Sequence, residues 1–375
     1  MKSRILIYIA LVLSLLQSCG GGNTNAIHKG DEIEMRHARN IKMREISPGV
    51  TLADLRNPWD TTATLARYAL VEKGVEIPSG LPTDTKIIRV PLESSVVFSG
   101  VHVSLLDELG AGKAVVGVCD AEYINDTTIR DGLTKGRIAD CGQSMQPNIE
   151  RIVSLHPGAV LLSPYDNADP TQIFAKTGIN VIQTADYMET TPLGRAEWMR
   201  FYGRLFGKST EADSLFSSIE KNYESIRQRT EKTEKKPKVL FDRIYSGVWD
   251  VPTSGSVTGH LIADAGGTNP FDEYKQGGSA HLSSEEVILK GHDADVWVIR
   301  YLEPSLTLTS LGRDNASYMR FKAYRNKNIY GANTLTVPLF EDGAFHPDKI
   351  LKEMLRILHP ELEKTPLEYY QKLSS

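Results

Sequence analysis

One long charged helix with a single apolar stripe separates two stretches of alternating strand and helix pattern, and this arrangement restricts the chain to few architectures. The helix covers residues 210–233, where Ala212, Leu215, Phe216, Ile219, Tyr223 and Ile226 recur at three- and four-residue steps. Thr210 followed by Asp213 fits a capping-box start, and Pro237 marks the stop. About 24 residues at ~1.5 Å each span roughly 36 Å, the width of a small lobe. Such a helix is either a beam between two lobes or a surface helix of one domain.

The first α/β stretch opens with strand IIRV after Thr85. It continues as strand SVVF, helix VHVSLLDELGAG, strand KAVVGV, strand GRIAD, helix NIERIVSLHPG, strand AVLLS, helix TQIFAKTG and strand NVIQT. Helix PLGRAEWMRFYGRLFG closes it, with Gly207 as a C-cap. The second runs from strand KVLFD through the turn-rich VPTSGSVTGHLIADAGGTN, helix SSEEVILKGHD, strand ADVWVIR, helix SYMRFKAYRN and strand NIYGA to helix HPDKILKEMLRILHP. Val- and Ile-rich strands alternating with short helices imply mostly parallel sheets covered on both faces, which bind ligands beyond the carboxyl ends of their strands. Ahead of these, runs at 50–55 and 68–72 read as a β-hairpin. Residues 26–42 are charged and aperiodic and read as linker.

A chain of 375 residues is long enough for two cores, and a net charge of −4 without a basic stripe argues against a nucleic-acid binder. Lys2 and Arg4 precede the apolar run ILIYIALVLSLL, the layout of a secretory signal too short for a convincing membrane span. Leu16, Gln17, Ser18 and Cys19 resemble the lipobox of a bacterial lipoprotein, which implies lipid on Cys19; a plain signal with an incidental cysteine is the alternative. Cys119 and Cys141 remain, either as a disulfide or as two free buried thiols.

Enzyme motifs do not assemble. The glycines of LGAGKAVVG close a helix and open a strand, the reverse of a dinucleotide fingerprint, and GSVTG lacks the central serine of a nucleophile elbow. No HxH or HExxH occurs, so His102, His156, His281 and His346 could form a metal site only through tertiary structure, and no metal site is assigned. The segments PNIERIVSLHPGAVLLS and LSSEEVILKGHDADVWVIR echo one another, each with a glutamate at a helix start and a buried strand behind it.

Together with SSVVFSGVHVSLLDELGAGKAVVGV, NKNIYGAN and FHPDKILKEMLRILHPEL, these segments resemble the substrate-binding lipoproteins of ABC importers. The closest group is the helix-linked class that carries ferric siderophores, haem or cobalamin, and the resemblance runs from Val50 to Leu362. It implies an α/β fold of two Rossmann-like lobes joined by a single long helix, the class III periplasmic-binding-protein fold, with the ligand cleft between the lobes. The corresponding division is 1–18 lipoprotein signal, 19–42 lipidated tether, 43–208 N-terminal lobe with its leading hairpin, 209–234 inter-lobe helix and 235–375 C-terminal lobe.

The resemblance also implies a monomeric, non-enzymatic periplasmic protein without a cofactor of its own, tethered by lipid and delivering a metal chelate to an ABC permease dimer in the inner membrane. Docking on the permease falls to one glutamate per lobe, matched by Glu150 and Glu285, with Glu286 a near-equal candidate. The cleft-facing loops offer Ser99, His102, Tyr123, Tyr165, Asp166 and Tyr187 from the first lobe. Arg243, Tyr245, Trp249, His281, Arg300 and Tyr301 come from the second. The rival readings are an envelope chelatase-like or hydrolytic enzyme using the same cleft, and a sensory lipoprotein that binds a partner protein.

Overall fold

The computed structural model describes residues 30–165 and 170–375. The signal, Cys19 and Asp166 lie outside the described residues. Two α/β lobes flank one helix, Ser209–Thr230, whose 22 residues span roughly 33 Å. Its stripe of Ala212, Phe216, Ile219, Tyr223 and Ile226 is buried. It packs on helix Met199–Leu205 of the first lobe and helix Pro347–Leu358 of the second. Each large apolar side chain so buried contributes about 1.5–3 kcal/mol. The helix start differs from the capping box expected: it opens at Ser209 without a side-chain cap, and Asp213 instead accepts from Arg200 Nε at 2.8 Å. Gly207, at φ +66°, ends the preceding helix in the left-handed region, which glycine enters without Cβ strain.

The expected linker and hairpin are a five-stranded sheet: β1 (Asp31–Ile33), β2 (Ile41–Ser47), β3 (Val50–Arg56), β4 (Thr64–Glu72) and β5 (Thr85–Val90). The stretch IIRV thus belongs to this sheet, paired parallel with β4, and does not open the first lobe. Two buried carboxylates clamp the sheet's leading segment to the lobe. Glu197 accepts the backbone N–H groups of Arg36, His37 and Ala38 at 2.7–2.9 Å. Glu189 accepts those of Arg39 and Asn40 together with the Trp198 indole N–H. No local pattern in residues 36–40 announces this, because the acceptors lie about 150 positions away in sequence.

The first lobe's sheet comprises β6 (Ser95–Val97), β7 (Val115–Val118), β8 (Ala139–Asp140), β11 (Ala159–Leu162) and β12 (Val181–Gln183), all parallel; a two-stranded ribbon, β9 (Gly142–Gln143) and β10 (Gln146–Pro147), intervenes in sequence. Its spatial order β12-β11-β6-β7-β8 reverses direction between β6 and β11, the switch point of a doubly wound sheet. TQIFAKTG forms only a 3-10 turn at its start, Pro170–Phe174.

In the second lobe β13 (Val239–Phe241), β16 (Val296–Tyr301) and β17 (Ile329–Asn333) are parallel, and β18 (Gln371–Lys372) closes the edge antiparallel. The turn-rich segment contains more order than its glycines suggest. β14 (Trp249–Pro252) pairs with β15 (Ser279–Leu282), and Ser256 caps helix Val257–Asp264 by accepting from Gly259 N–H at 3.0 Å. The tail is clamped as the N-terminal segment is: the Glu353 carboxylate accepts the backbone N–H groups of Glu368, Tyr369 and Tyr370.

Candidate ligand-binding site

A cavity of about 630 Å3 opens at the switch point of the first lobe. Each wall is the loop that leaves a strand: Phe98, Ser99 and Gly100 after β6, Asp120, Tyr123 and Ile124 after β7, and Ser163 and Tyr165 after β11. The β9–β10 turn adds Ser144 and Met145, and Ile173 closes one side. Tyr123, Met145, Tyr165 and Ile173 are 59, 65, 57 and 50 % exposed, apolar surface that folding has left in water around one concavity. Asp120 shapes the rim from the left-handed region, φ 51°, and its Oδ1 accepts the Ser144 N–H at 3.0 Å. Asp242, the residue after β13, sits at φ 54° in the second lobe. Its carboxylate accepts from the Arg300 amide and Nε, both at 3.1 Å.

Of the first-lobe residues expected at the cleft, Ser99, Tyr123 and Tyr165 line this cavity. His102 does not. It lies on the inward face of helix Gly100–Glu108, 3 % exposed, with Nε2 2.7 Å from Asp186 Oδ1 and 3.1 Å from the Tyr202 hydroxyl. Tyr202 also donates to Asp186 at 2.8 Å, and Phe345 of the second lobe packs against both rings. Burial would raise the Asp186 carboxyl, yet His102, Arg195 and Tyr202 hold it well below the usual range. The four groups form a structural knot, so His102 is withdrawn as a ligand contact. Tyr187 is half-buried, and its hydroxyl donates to the Pro164 carbonyl, bracing the loop that carries Tyr165.

The second lobe departs further from expectation. Trp249 is 1 % exposed, stacked on Trp297 with its indole N–H on the Phe241 carbonyl at 2.9 Å; strand alternation turns it into the core, and it does not face the cleft. His281 stands opposite Asp250 on the outer face of the β14–β15 ribbon and pairs with it. Arg243 is held by Asp314 at 2.9 Å and by Glu303. Arg300 lines a cavity of about 150 Å3 with Arg195, Phe241 and Tyr370, its guanidinium 5.9 Å over the Phe340 ring. Tyr245 is largely exposed and Tyr301 half-buried. A further inter-lobe cavity of about 510 Å3 joins helix Gly100–Glu108 to helix Leu339–Phe345, bridged by His346 to Glu108 at 2.8 Å and Asn125 to Glu341 at 3.2 Å.

Asp120, Met145 and Ile173 were absent from the expected site. Asp120 had a usable signal, since it stands two residues behind a strand; Met145 did not, because its ribbon is too short to show periodicity. Cys119 and Cys141 are free buried thiols, so the alternative of a disulfide falls. Burial pushes both thiols up, Cys141 to about 11. A Cβ at Gly117 would meet Cys141 Sγ at 2.8 Å, so glycine is what lets this thiol pack.

Glu150 and Glu285 are exposed in the first turns of helices capped by Asn148 and Ser283, and neither has an ion-pair partner among the described residues. Glu286 is engaged: it accepts from the Tyr274 hydroxyl at 2.5 Å and pairs with Lys290 at 3.2 Å, and these bonds lower its carboxyl. Among the described residues no three His, Cys, Asp or Glu side chains are placed to hold a metal ion, and no helix is long and apolar enough to cross a membrane.

Residues 96–334 match the family model described as periplasmic binding protein. The chain belongs to that family. A periplasmic binding protein of this sequence is 29 % identical over 322 residues to an uncharacterized lipoprotein of Methanocaldococcus jannaschii, covering 80 % of this chain and 74 % of that one. Among solved structures, a periplasmic haem-binding protein from Pseudomonas aeruginosa superposes with a TM-score of 0.58 at 17 % identity, over 76 % of this chain and 99 % of the other. An ABC-type Fe3+-hydroxamate transport protein from Saccharomonospora viridis gives 0.52 at 22 %, over 69 and 93 %. The family match begins at residue 96, after β5, so the five-stranded sheet of residues 31–90 stands outside it.

Proposed function

We propose that the chain is the substrate-binding component of an ABC importer, a non-enzymatic monomer held to the membrane by lipid on Cys19 that delivers a metal chelate to a permease dimer. The observation that carries this reading is the convergence of exposed Tyr123, Met145, Tyr165 and Ile173 on one cavity at the switch point, in a chain of this family. Aromatic faces suit a flat or macrocyclic chelate. The haem and ferric hydroxamate named for the two structural relatives belong to the same chemical class, ferric siderophore, haem or cobalamin, that we assign here.

Docking falls to Glu150 and Glu285, which hold free carboxylates in equivalent first turns, and the engagement of Glu286 with Tyr274 and Lys290 favours Glu285 over its neighbour. Exposed pairs contribute ~0–1 kcal/mol each, so these charges would set register and approach more than affinity. The test is transport by Glu150→Lys with Glu285→Lys: chelate binding stays within about twofold while uptake is lost. Retained uptake, or binding lost in parallel with it, overturns the docking assignment.

A further inference from the structure

The arginines expected at the cleft are held by carboxylates. The switch-point cavity has one carboxylate, Asp120, and no Lys, Arg or His among its described lining residues. In the neighbouring inter-lobe cavity Asp107, Glu108, Asp126, Glu341 and Asp342 outnumber His346 and Lys349, which stand 2.8 Å from Glu108 and 3.6 Å from Asp342. Arg195 is 3.3 Å from Asp186, Arg300 is bonded to Asp242, and Arg243 is shared by Asp314 and Glu303. An anionic ligand would have to take a guanidinium from its own carboxylate, leaving that carboxylate uncompensated, or bind beside Asp120 with no counter-charge. Among the described residues, carboxylates outnumber cations in the lining of these two cavities, which disfavours an anion there.

We infer that the cleft selects metal chelates without net negative charge, such as a ferric trihydroxamate or an amide-rimmed corrinoid, and rejects chelates rimmed by carboxylates or catecholates. This inference rests on the transport reading and narrows its ligand class. A neutral chelate needs only the apolar surface of Tyr123, Met145, Tyr165 and Ile173, with serine hydroxyls and loop carbonyls for its polar rim.

Two matched pairs test it by calorimetry on the intact chain. One sets an uncharged ferric trihydroxamate against a trianionic ferric tricatecholate of similar size. The other sets cyanocobalamin against dicyanocobyrinate carrying free carboxylates. In the pair that binds, the anionic member is expected to be about 100-fold weaker or worse. Met145→Arg, an exposed site where an unpaired guanidinium is readily accommodated, should recover about tenfold of that gap for the anion. An anionic member that binds as well as its neutral counterpart, or haem with its two carboxylates as the sole chelate bound, overturns the selectivity and leaves the transport reading intact. Failure of both pairs and of haem to bind removes the transport reading and this inference with it.

Discussion

The two lobes share a construction but present opposite surfaces to the cleft. Each follows a strand with a left-handed aspartate, Asp120 or Asp242, and each clamps a terminal segment of the chain with buried glutamates. At the first lobe's strand ends the carboxylate of Asp120 takes a backbone amide, so the walls remain apolar and open. In the second lobe Asp242 takes Arg300, Arg243 is doubly paired, and Trp249 turns inward. The first lobe gathers its exposed apolar groups around one cavity, while the second holds its arginines and Trp249 in internal contacts.

The largest effect should come from stripping the open half. Tyr123→Ala combined with Tyr165→Ala removes two aromatic faces and should cost about 3 kcal/mol of chelate binding, more than 100-fold, by calorimetry. Tyr245→Ala in the second lobe should change affinity less than about fivefold. Equal losses from both lobes would erase the contrast.

The clamps come next. Glu197→Ala leaves the amides of Arg36, His37 and Ala38 without their acceptor and should lower unfolding free energy by about 3 kcal/mol in denaturant titrations. Glu353→Ala should cost about 2 kcal/mol, because the tail it holds ends in a short edge strand. A loss below about 0.5 kcal/mol for Glu197→Ala would mean that the N-terminal segment is not held through this carboxylate.

A smaller effect appears with pH in the second lobe. The Thr365 hydroxyl and amide, with Arg229 of the linking helix, hold the Glu363 carboxyl at about 2. Its folded value lies below the ordinary ~4.3, so its contribution is complete above that value and is lost as pH falls toward 2. The Tm difference between the protein and Glu363→Gln should therefore close over that window. A difference that persists at pH 2 would assign the effect to packing instead of charge.

Much of this organisation was legible in residue pattern. The linking helix carries its own apolar period, and the parallel strands are short Val- and Ile-rich runs whose burial on both faces needs no alternation. What escaped has a common cause in distant partners. The segment from Glu34 to Asn40 looks like a charged linker until Glu189 and Glu197 supply acceptors for its backbone. His102 and Trp249 are residue types that suit a chelate site, but helix face and strand alternation turn both inward, and for the strand a one-residue shift would reverse the face. Arg243 and Arg300 were expected to face the cleft, and the carboxylates that hold them come from other loops, which local pattern does not reveal.

The most direct test of the account is the visible absorption spectrum of the intact chain purified from its native envelope, followed by titration with a ferric trihydroxamate, cyanocobalamin and haem. A chelate carrier should retain a metal-chelate band or acquire one at a stoichiometry of about one per chain, and the band should be lost in the Tyr123→Ala, Tyr165→Ala protein. A colourless protein that takes up none of the three with saturation would contradict it.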